Sequence, residues 1–532
     1  MLRDAHPAMP KFLLFFLLCF ALPARAALDP AMLAPLAGDD SYAKAQWVTQ
    51  NAQNPDPQID AIYQALSDDS LLILPDGSLT IFDGEKYLDA ATGAPLATEP
   101  ETTDGVIVNN LVRGALQSAT ALRGLASPDA AARLAAADAL KERADVSFLP
   151  ALETALAQET DAEVKEALSR TTALLQLAST DQATRLAAVE RLAVSRDRKI
   201  YQALLPLAES ESDPAVKAAL AGAIDKIELR LDVASFFTNV FSGLSLGSIL
   251  LLAALGLAIT FGLMGIINMA HGEMLMLGAY STYVVQGIFR EHFPGAIDWY
   301  PLAALPVAFL VAAAVGAILE RSVIRHLYGR PLETLLATWG LSLILIQAVR
   351  SIFGPQNVEV ANPVWMSGAL DLYGVVLPYN RLAIIAFAFF VLAIVWFALN
   401  RTRMGLYVRG VMQNRPMADA IGVPTARVDM MAFALGSGIA GLGGVALSQI
   451  GNVGPELGQA YIIDSFMVVV LGGVGQLAGT VVAALGLGEI NKFLEPYSGA
   501  VLGKIAVLVL IILFIQKRPS GLFALKGRSA DA

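Results

Sequence analysis

The sequence predicts an all-α, polytopic membrane chain, preceded by an exported and mostly helical domain that holds a small β-meander. Three observations predict it. Of the 532 residues, 55% are apolar and 16% are charged, which is too apolar for an ordinary soluble enzyme. The charge is uneven: residues 233–532 carry 17 Lys and Arg against 14 Asp and Glu, although the whole chain has a net charge of −10. Finally, the apolar runs of about 17–25 residues, long enough to cross a bilayer, fall in that second part. The acidic first part argues against nucleic acid as a partner, because that needs a basic footprint.

Residues 1–26 read as a signal peptide. Arg3 and Lys11 precede the run FLLFFLLCFAL, and Ala24-Arg25-Ala26 is an A-x-A cleavage site. The run is about half the length of a span, and Leu18 before Cys19 is too large for a lipoprotein signal. A mature chain starting at Ala27 would lose Cys19, the sole cysteine, and with it all thiol and disulfide chemistry.

Residues 27–231 form the expected exported domain, with its β-containing part over about 27–120. Leu71–Leu74, Leu79–Phe82 and Tyr87–Leu88 are short β-like runs, parted by Asp76-Gly77 and Asp83-Gly84 as turns. A repeat follows within about 121–231. Asp129–Leu168 aligns without a gap on Asp181–Leu220, so that Arg133-Leu134 matches Arg185-Leu186 and Val164-Lys165 matches Val216-Lys217. The offset is about 52 residues, the scale of helical repeat units. The pattern resembles HEAT-type repeats, which stack into solenoids that bind proteins or act as spacers.

The membrane domain is expected over 232–532. Spans are expected near Val240–Met264, Met274–Phe289, Leu302–Leu319, Leu335–Phe353, Leu382–Leu399, Val428–Gln449 and Val501–Gln516, the second being short. Arg321, Arg325 and Arg330 mark one cytoplasmic loop, residues 401–427 another, and Lys517, Arg518, Lys526 and Arg528 a cytoplasmic tail. The loop Gly354–Asn380 has no Lys or Arg before its end and fits the exterior. Parity then makes Tyr461–Leu494 a hairpin turning at Gly472–Gly479. The total is about nine crossings, or seven plus a re-entrant hairpin.

Two interruptions are candidate sites. The first is GIINMAHGE, residues 265–273, where Asn268, His271, Gly272 and Glu273 lie close to apolar spans; such groups usually face a cavity or a partner. Together with Gly472, Gly473 and Gly475 of the hairpin turn, they are candidates for a translocation path, since irregular backbone at membrane depth survives only when buried in protein or lining a wet cavity. A turn at the cytoplasmic surface is the alternative for residues 265–273. The four histidines are scattered, so no metal site is expected. The second interruption is the basic stretch Arg401–Gly422. Pro416 fits the first position of a short helix, Met417 to Ile421 continue it, Gly422 supplies a left-handed residue after its end, and Pro424 stops it. Arg409, Asn414, Arg415, Pro416, Ala420 and Gly422 are its candidate contact residues. The alternative is an ordinary amphipathic loop helix.

Four segments then carry a resemblance: GIINMAHGEMLMLGAY, the run from Arg403 to Val445, SFMVVVLGGVGQLAGTVVAALGLG and KRPSGLF. Together they resemble permeases of ABC importers of the branched-chain amino acid class, in order over nearly all of residues 236–526. The wording of Gln449–Thr480 and of NKFLEP, with an exported domain ahead of the spans, is similar to the urea-type permease subunit of that class. The resemblance implies an inner-membrane subunit with no cofactor and a small neutral or zwitterionic solute. It implies a second permease, two cytoplasmic ATPase subunits and a periplasmic solute-binding protein as partners, besides membrane lipid. The chain has no G-x-x-x-x-G-K-[ST] segment, so ATP hydrolysis is expected on the partner subunits and not here. It also implies that Arg415–Gly422 is a coupling helix. Urea, branched-chain amino acids and short amides remain open as solutes. An autonomous channel or ion-coupled secondary transporter is the reading from another class, and the scarcity of paired intramembrane charges speaks against it.

Overall fold

The structure is a computed structural model that describes residues 28–143 and 145–523. The expected signal peptide, and Lys526 and Arg528 of the tail, lie outside the described residues. The chain divides into two compact units that meet at Arg230 and Leu231.

In the first unit, α1 (Pro30–Ala37), α2 (Ser41–Gln50) and α3 (Pro57–Ser67) precede β1 (Leu71–Ile73), β2 (Leu79–Phe82), β3 (Tyr87–Asp89) and β4 (Asp104–Gly105). Each of the three helices is capped by an aspartate whose carboxylate accepts from the second backbone N–H beyond it: Asp29, Asp40 and Asp56. The strands form one antiparallel sheet in the order β3-β2-β1-β4. The three expected strands are present, and Asp104–Gly105 adds an edge that is too short to leave a periodic signal. Gly77 and Gly84 take positive φ in the two turns, beside Asp76 and Asp83, which accept from backbone N–H groups ahead of them.

After α4 (Asn110–Gly124) come α5 (Ala130–Arg143), α6 (Leu149–Gln158), α7 (Ala162–Gln176), α8 (Gln182–Leu192), α9 (Arg198–Ser210) and α10 (Pro214–Met264). The sequence repeat is a repeat of structure. Arg133 forks onto Glu159 at 2.8 and 2.9 Å and donates to the carbonyls of Ser127 and Pro128. The matching Arg185 reaches Glu211 at 3.3 Å and donates to Ser179 and Thr180. Ala137, Leu140, Leu152, Val164 and Leu168 are buried, and so are their counterparts Val189, Leu192, Leu204, Val216 and Leu220.

The second unit is mostly helical. It holds the later part of α10, then α11 (His271–His292), α12 (Tyr300–Ser322), α13 (Pro331–Phe353), α14 (Tyr379–Arg401), α15 (Arg403–Gln413), α16 (Arg415–Ala420), α17 (Thr425–Ser448), α18 (Leu457–Gly472) and α19 (Leu477–Lys517). Among the described residues, six helices are long and apolar enough to cross a membrane: α10, α12, α13, α14, α17 and α19. Helix α11, with Glu273, Arg290 and Glu291, is not among them, and α18 is a shorter apolar helix of 16 residues. The expected hairpin is present in α18 and the first leg of α19, whose backbones touch at Gly472 and Gly479. Helix α19 breaks at Gly499, where φ is 74° and ψ 164°. Its second leg folds back, so that Lys504 pairs with Asp464 and the Leu522 N–H donates to Leu471 at 2.8 Å. The turn of the hairpin therefore reaches the end of the bundle at which the tail leaves α19.

One element escaped the sequence reading. Residues 369–378 form a two-stranded hairpin, β5 (Ala369–Leu372) and β6 (Val375–Pro378). Tyr373 and Gly374 both take positive φ, the geometry of a type I′ turn. Close packing in the bundle runs through glycine. Gly256 meets Gly436, Gly272 meets Gly458 and Gly278 meets Gly441, each pair backbone against backbone. In lipid, where apolar side chains gain little by leaving one membrane-facing site for another, such close approach is what holds helices together.

Candidate functional site

Helix α10 ends at Met264, and Gly265 turns the chain with φ 65°. The Gly265 N–H still donates to the Phe261 carbonyl at 2.9 Å, and residues 265–270 then run outside any helix to the start of α11 at His271. This break is held by α13. Thr338 Oγ1 accepts from the Met269 N–H at 3.2 Å, and Ser342 Oγ donates to Glu273 Oε1 at 2.8 Å. Thr338 and Ser342 stand about two and three turns inside α13; Gly265 at the start of the break is exposed, and Ile266, Asn268 and Ala270 are buried. Asn268, His271 and Glu273 are all buried, at 2%, 0% and 1% exposure.

The three polar groups face different ways. Asn268 Oδ1 accepts from the Ala270 N–H at 3.0 Å and so fastens its own turn. The His271 Nε2 lies 3.1 Å from the Ala253 carbonyl of α10; a carbonyl only accepts, which assigns the proton to Nε2. His271 Nδ1 and Glu273 Oε2 find no hydrogen-bond partner among the described residues. Gly272 brings α11 against Gly458 of α18. No group of three or more His, Cys, Asp or Glu that could hold a metal occurs among the described residues.

The hairpin glycines lie elsewhere. Gly472 packs on Gly479, Gly473 on the carbonyls of Phe523 and Ser520, and Gly475 on Gly262 and Met412. Gly262 stands about one turn before the break, so both interruptions converge on one end of the bundle without sharing a cavity. A space of about 50 Å³ beside Gly475, Met412 and Leu477 is too small for more than a water or two.

That same end carries the basic stretch. Asn414 caps α16, its Oδ1 accepting from the Met417 N–H at 3.0 Å; Pro416 sits in the first turn, and Gly422 follows the end with φ +87°. The short helix thus begins one residue earlier than its proline indicated. Pro416, Met417, Ala420 and Ile421 are exposed, and Ala418 is buried. Both candidate arginines are bonded within the chain. Arg409 donates to the Leu399 carbonyl at the end of α14. Arg415 pairs with Asp429 of α17, a residue that is wholly buried. Its guanidinium also lies 4.9 Å from the centre of the Tyr328 ring. Tyr328 donates its hydroxyl to Glu320 Oε1 at 3.1 Å, and Arg325 donates to Glu320 Oε2 at 3.0 Å. Burial first, then the carboxylates of Asp429 and Glu320, push the Tyr328 phenol up, so it stays a donor.

Sequence reasoning missed Glu320, Tyr328, Thr338, Ser342 and Asp429. Asp429 carried a usable signal, because a lone carboxylate inside an apolar run requires a partner. Thr338 and Ser342 carried none, as hydroxyls in a span commonly bond their own helix.

The opposite end is closed by polar bonds between loops. Val358 and Val453 exchange both backbone bonds at 2.8 Å. The Ala361 carbonyl accepts from Tyr300 at 2.7 Å and from Gln286 at 2.9 Å, and Asn380 donates to Gln449 at 3.1 Å.

Comparison with known proteins agrees with this architecture. The chain is 27% identical over 298 residues to the high-affinity branched-chain amino acid transport system permease protein BraD of Pseudomonas aeruginosa, covering 55% of this chain and 96% of that protein. It is 28% identical over 295 residues to the corresponding protein LivH of Escherichia coli, covering 54% of this chain and 95% of that one. The ribose import permease protein RbsC of Escherichia coli is 25% identical over 304 residues, covering 53% and 88%. No solved structure matched the chain. The family described as branched-chain amino acid transport system / permease component matches residues 239–515, and the chain belongs to that family.

Proposed function

We propose that the chain is the membrane permease subunit of an ATP-driven importer of a small solute, with urea as that solute. The observation that carries the transport reading is the break at residues 265–270. It places polar groups on irregular backbone inside a bundle of apolar helices, next to the end that bears an exposed, capped basic turn. Irregular backbone of this kind recurs in transporters, where broken helices border the path of the solute. In this reading separate ATPase subunits press on Arg415–Gly422, a second permease completes the path and a periplasmic protein delivers the solute. The tail and the basic loops are cytoplasmic, and the N-terminal unit is exported.

Two features support urea. One is the wording of Gln449–Thr480 and Asn491–Pro496. The other is the N-terminal unit: BraD aligns over 96% of its own length yet matches 55% of this chain, so that unit is an addition to the amino acid permease pattern. The names of BraD and LivH, branched-chain amino acid transport permeases, favour branched-chain amino acids, which is the second reading. ATP-dependent uptake of labelled urea and of labelled leucine into vesicles holding the complete complex separates them. Uptake of urea that excess leucine leaves untouched supports the first reading. Leucine uptake without urea uptake establishes the second, and uptake of either without ATP removes the importer altogether.

A further inference from the structure

The Arg-rich end of the bundle holds an ionic cluster, with buried carboxylates and part-exposed arginines, that links three elements. Glu320 ends α12, is fully buried and takes a hydrogen bond on each oxygen, from Tyr328 and from Arg325. Asp429, fully buried near the start of α17, takes both terminal nitrogens of Arg415, with Nη1 at 3.4 Å from Oδ1 and Nη2 closer to Oδ2. The start of a helix favours a carboxylate, and the planar fork of arginine matches it. Tyr328 joins the two halves, since its hydroxyl holds Glu320 while its ring lies under the Arg415 guanidinium.

The cluster spans the turn from α16 to α17. The turn itself is closed by the Gly422 N–H on the Asp419 carbonyl and the Val423 N–H on the Ala418 carbonyl, both at 3.0 Å, and Thr425 Oγ1 donates to Asp419 Oδ1 at 3.3 Å. Those bonds stay at the surface of the turn, whereas Arg415 reaches a wholly buried carboxylate inside α17. A push on the exposed Met417 and Ile421 is carried inward through that pair, because leaving the buried Asp429 without its partner is strongly unfavourable.

We propose that the Arg415–Asp429 pair, with Tyr328 and Glu320, is the element that transmits movement of the α16 turn to α12 and α17. Arg415 is then a positioning residue that faces the bundle, not a contact for the ATPase. The proposal rests on the reading of Arg415–Gly422 as the place where the ATPase presses. Its signature is uncoupling: the ATPase still docks and hydrolyses, but the stroke is lost between α16 and α17.

The test uses the complete complex in vesicles, with labelled urea and labelled leucine offered in parallel, and reads solute moved per ATP hydrolysed. Asp429→Asn removes the charge with little change of shape and leaves the exposed face of α16 untouched. It should keep stimulated hydrolysis within about twofold of the unaltered complex while solute moved per ATP falls about tenfold. Tyr328→Phe keeps the ring under Arg415 and loses only the bond to Glu320; it should lower the same ratio by a smaller factor, and it decides the matter if Asp429→Asn fails to reach the membrane. Ile421→Glu, on the exposed face, should lower hydrolysis and uptake together. An unchanged ratio in Asp429→Asn and Tyr328→Phe, or an equal fall of hydrolysis and uptake in both, overturns the clasp even if Ile421→Glu behaves as expected. If Ile421→Glu alters neither quantity, the coupling turn itself is wrong and the clasp loses its role with it.

Discussion

Single side chains in this protein act by what they hold. Glu159 is kept at about 2, well below its ordinary 4.5, first by the hydrogen bond from Arg133 and then by the backbone N–H of Asp161. The folded form therefore favours the ionised carboxylate, and its contribution is present above the ordinary value and lost as pH falls toward 2. Glu159→Gln should lower the thermal midpoint at pH 7, and the gap from the unaltered chain should close as the melt is repeated between pH 4.5 and the acid limit of folding. An unchanging gap would mean that the clip stabilises through packing alone. Gly422→Val addresses a different residue. Its left-handed φ of +87° strains any β-branched residue, by about 1–3 kcal/mol. The position is open, so the cost should fall on the end of α16: hydrolysis stimulated by loaded binding protein should drop while the melting midpoint moves little. The capped turn was legible in the sequence because Asn414, Pro416 and Gly422 are local signals that need no neighbour. The inward direction of Arg415 was not, because it depends on Asp429 in the next helix and on Tyr328 in an earlier loop.

At the level of helices, close packing depends on missing side chains. A Cβ on Gly444 would lie 2.7 Å from the Ala279 nitrogen and closer still to the Leu275 carbonyl, backbone that cannot move aside singly. Gly444→Ala should therefore destabilise the bundle by about 1–3 kcal/mol, as overpacking does. Gly340→Ala on α13 meets nothing within 4 Å and should be neutral or slightly stabilising, since alanine is the better helix former. Thermal unfolding of the two purified variants in one detergent makes the comparison. The apolar runs of these helices were readable to within a few residues, and the hairpin between α18 and α19 followed from parity. The β5–β6 hairpin was not read, although Leu-Asp-Leu-Tyr-Gly-Val-Val-Leu has strand-like residues on both sides of a Tyr-Gly turn. The loop's lack of positive charge bears on its sidedness and carries no signal for strand pairing.

For the whole molecule, the arrangement of loops fixes two ends, and sidedness is the quantity to measure. Val364 lies in the loop before β5 and is 75% exposed; Ile421, at the other end, is 74% exposed. In a Cys19→Ser background, an impermeant maleimide should label Val364→Cys in intact spheroplasts and reach Ile421→Cys only after lysis. The reverse pattern would invert the whole assignment, including the export of the N-terminal unit. Arg and Lys cluster on alternate loops, and that is the sequence signal for orientation that this labelling tests. The break at residues 265–270 was readable as an interruption, but its depth was set by Thr338 and Ser342 of α13, about seventy residues along the chain.

The twin Arg–Glu clips of the N-terminal unit have a practical consequence. Because Arg133 with Glu159 and Arg185 with Glu211 recur in one register, and the buried positions between them match, the repeat works as a ruler whose length can be changed in whole units. Removing residues 128–179 joins Ser127 to Thr180 and offers Arg185 the same pair of carbonyls that it now takes from Ser179 and Thr180. The pair of Lys141 with Asp197 at 2.7 Å is lost, and the second copy has to take over the packing of Ala137, Leu140 and Leu152 on the N-terminal helices. Such a chain should still reach the membrane at near its normal level, whereas one shortened by half a repeat should be degraded. Comparing uptake by the shortened and full-length chains then reads out whether this unit must have a fixed reach or merely be present.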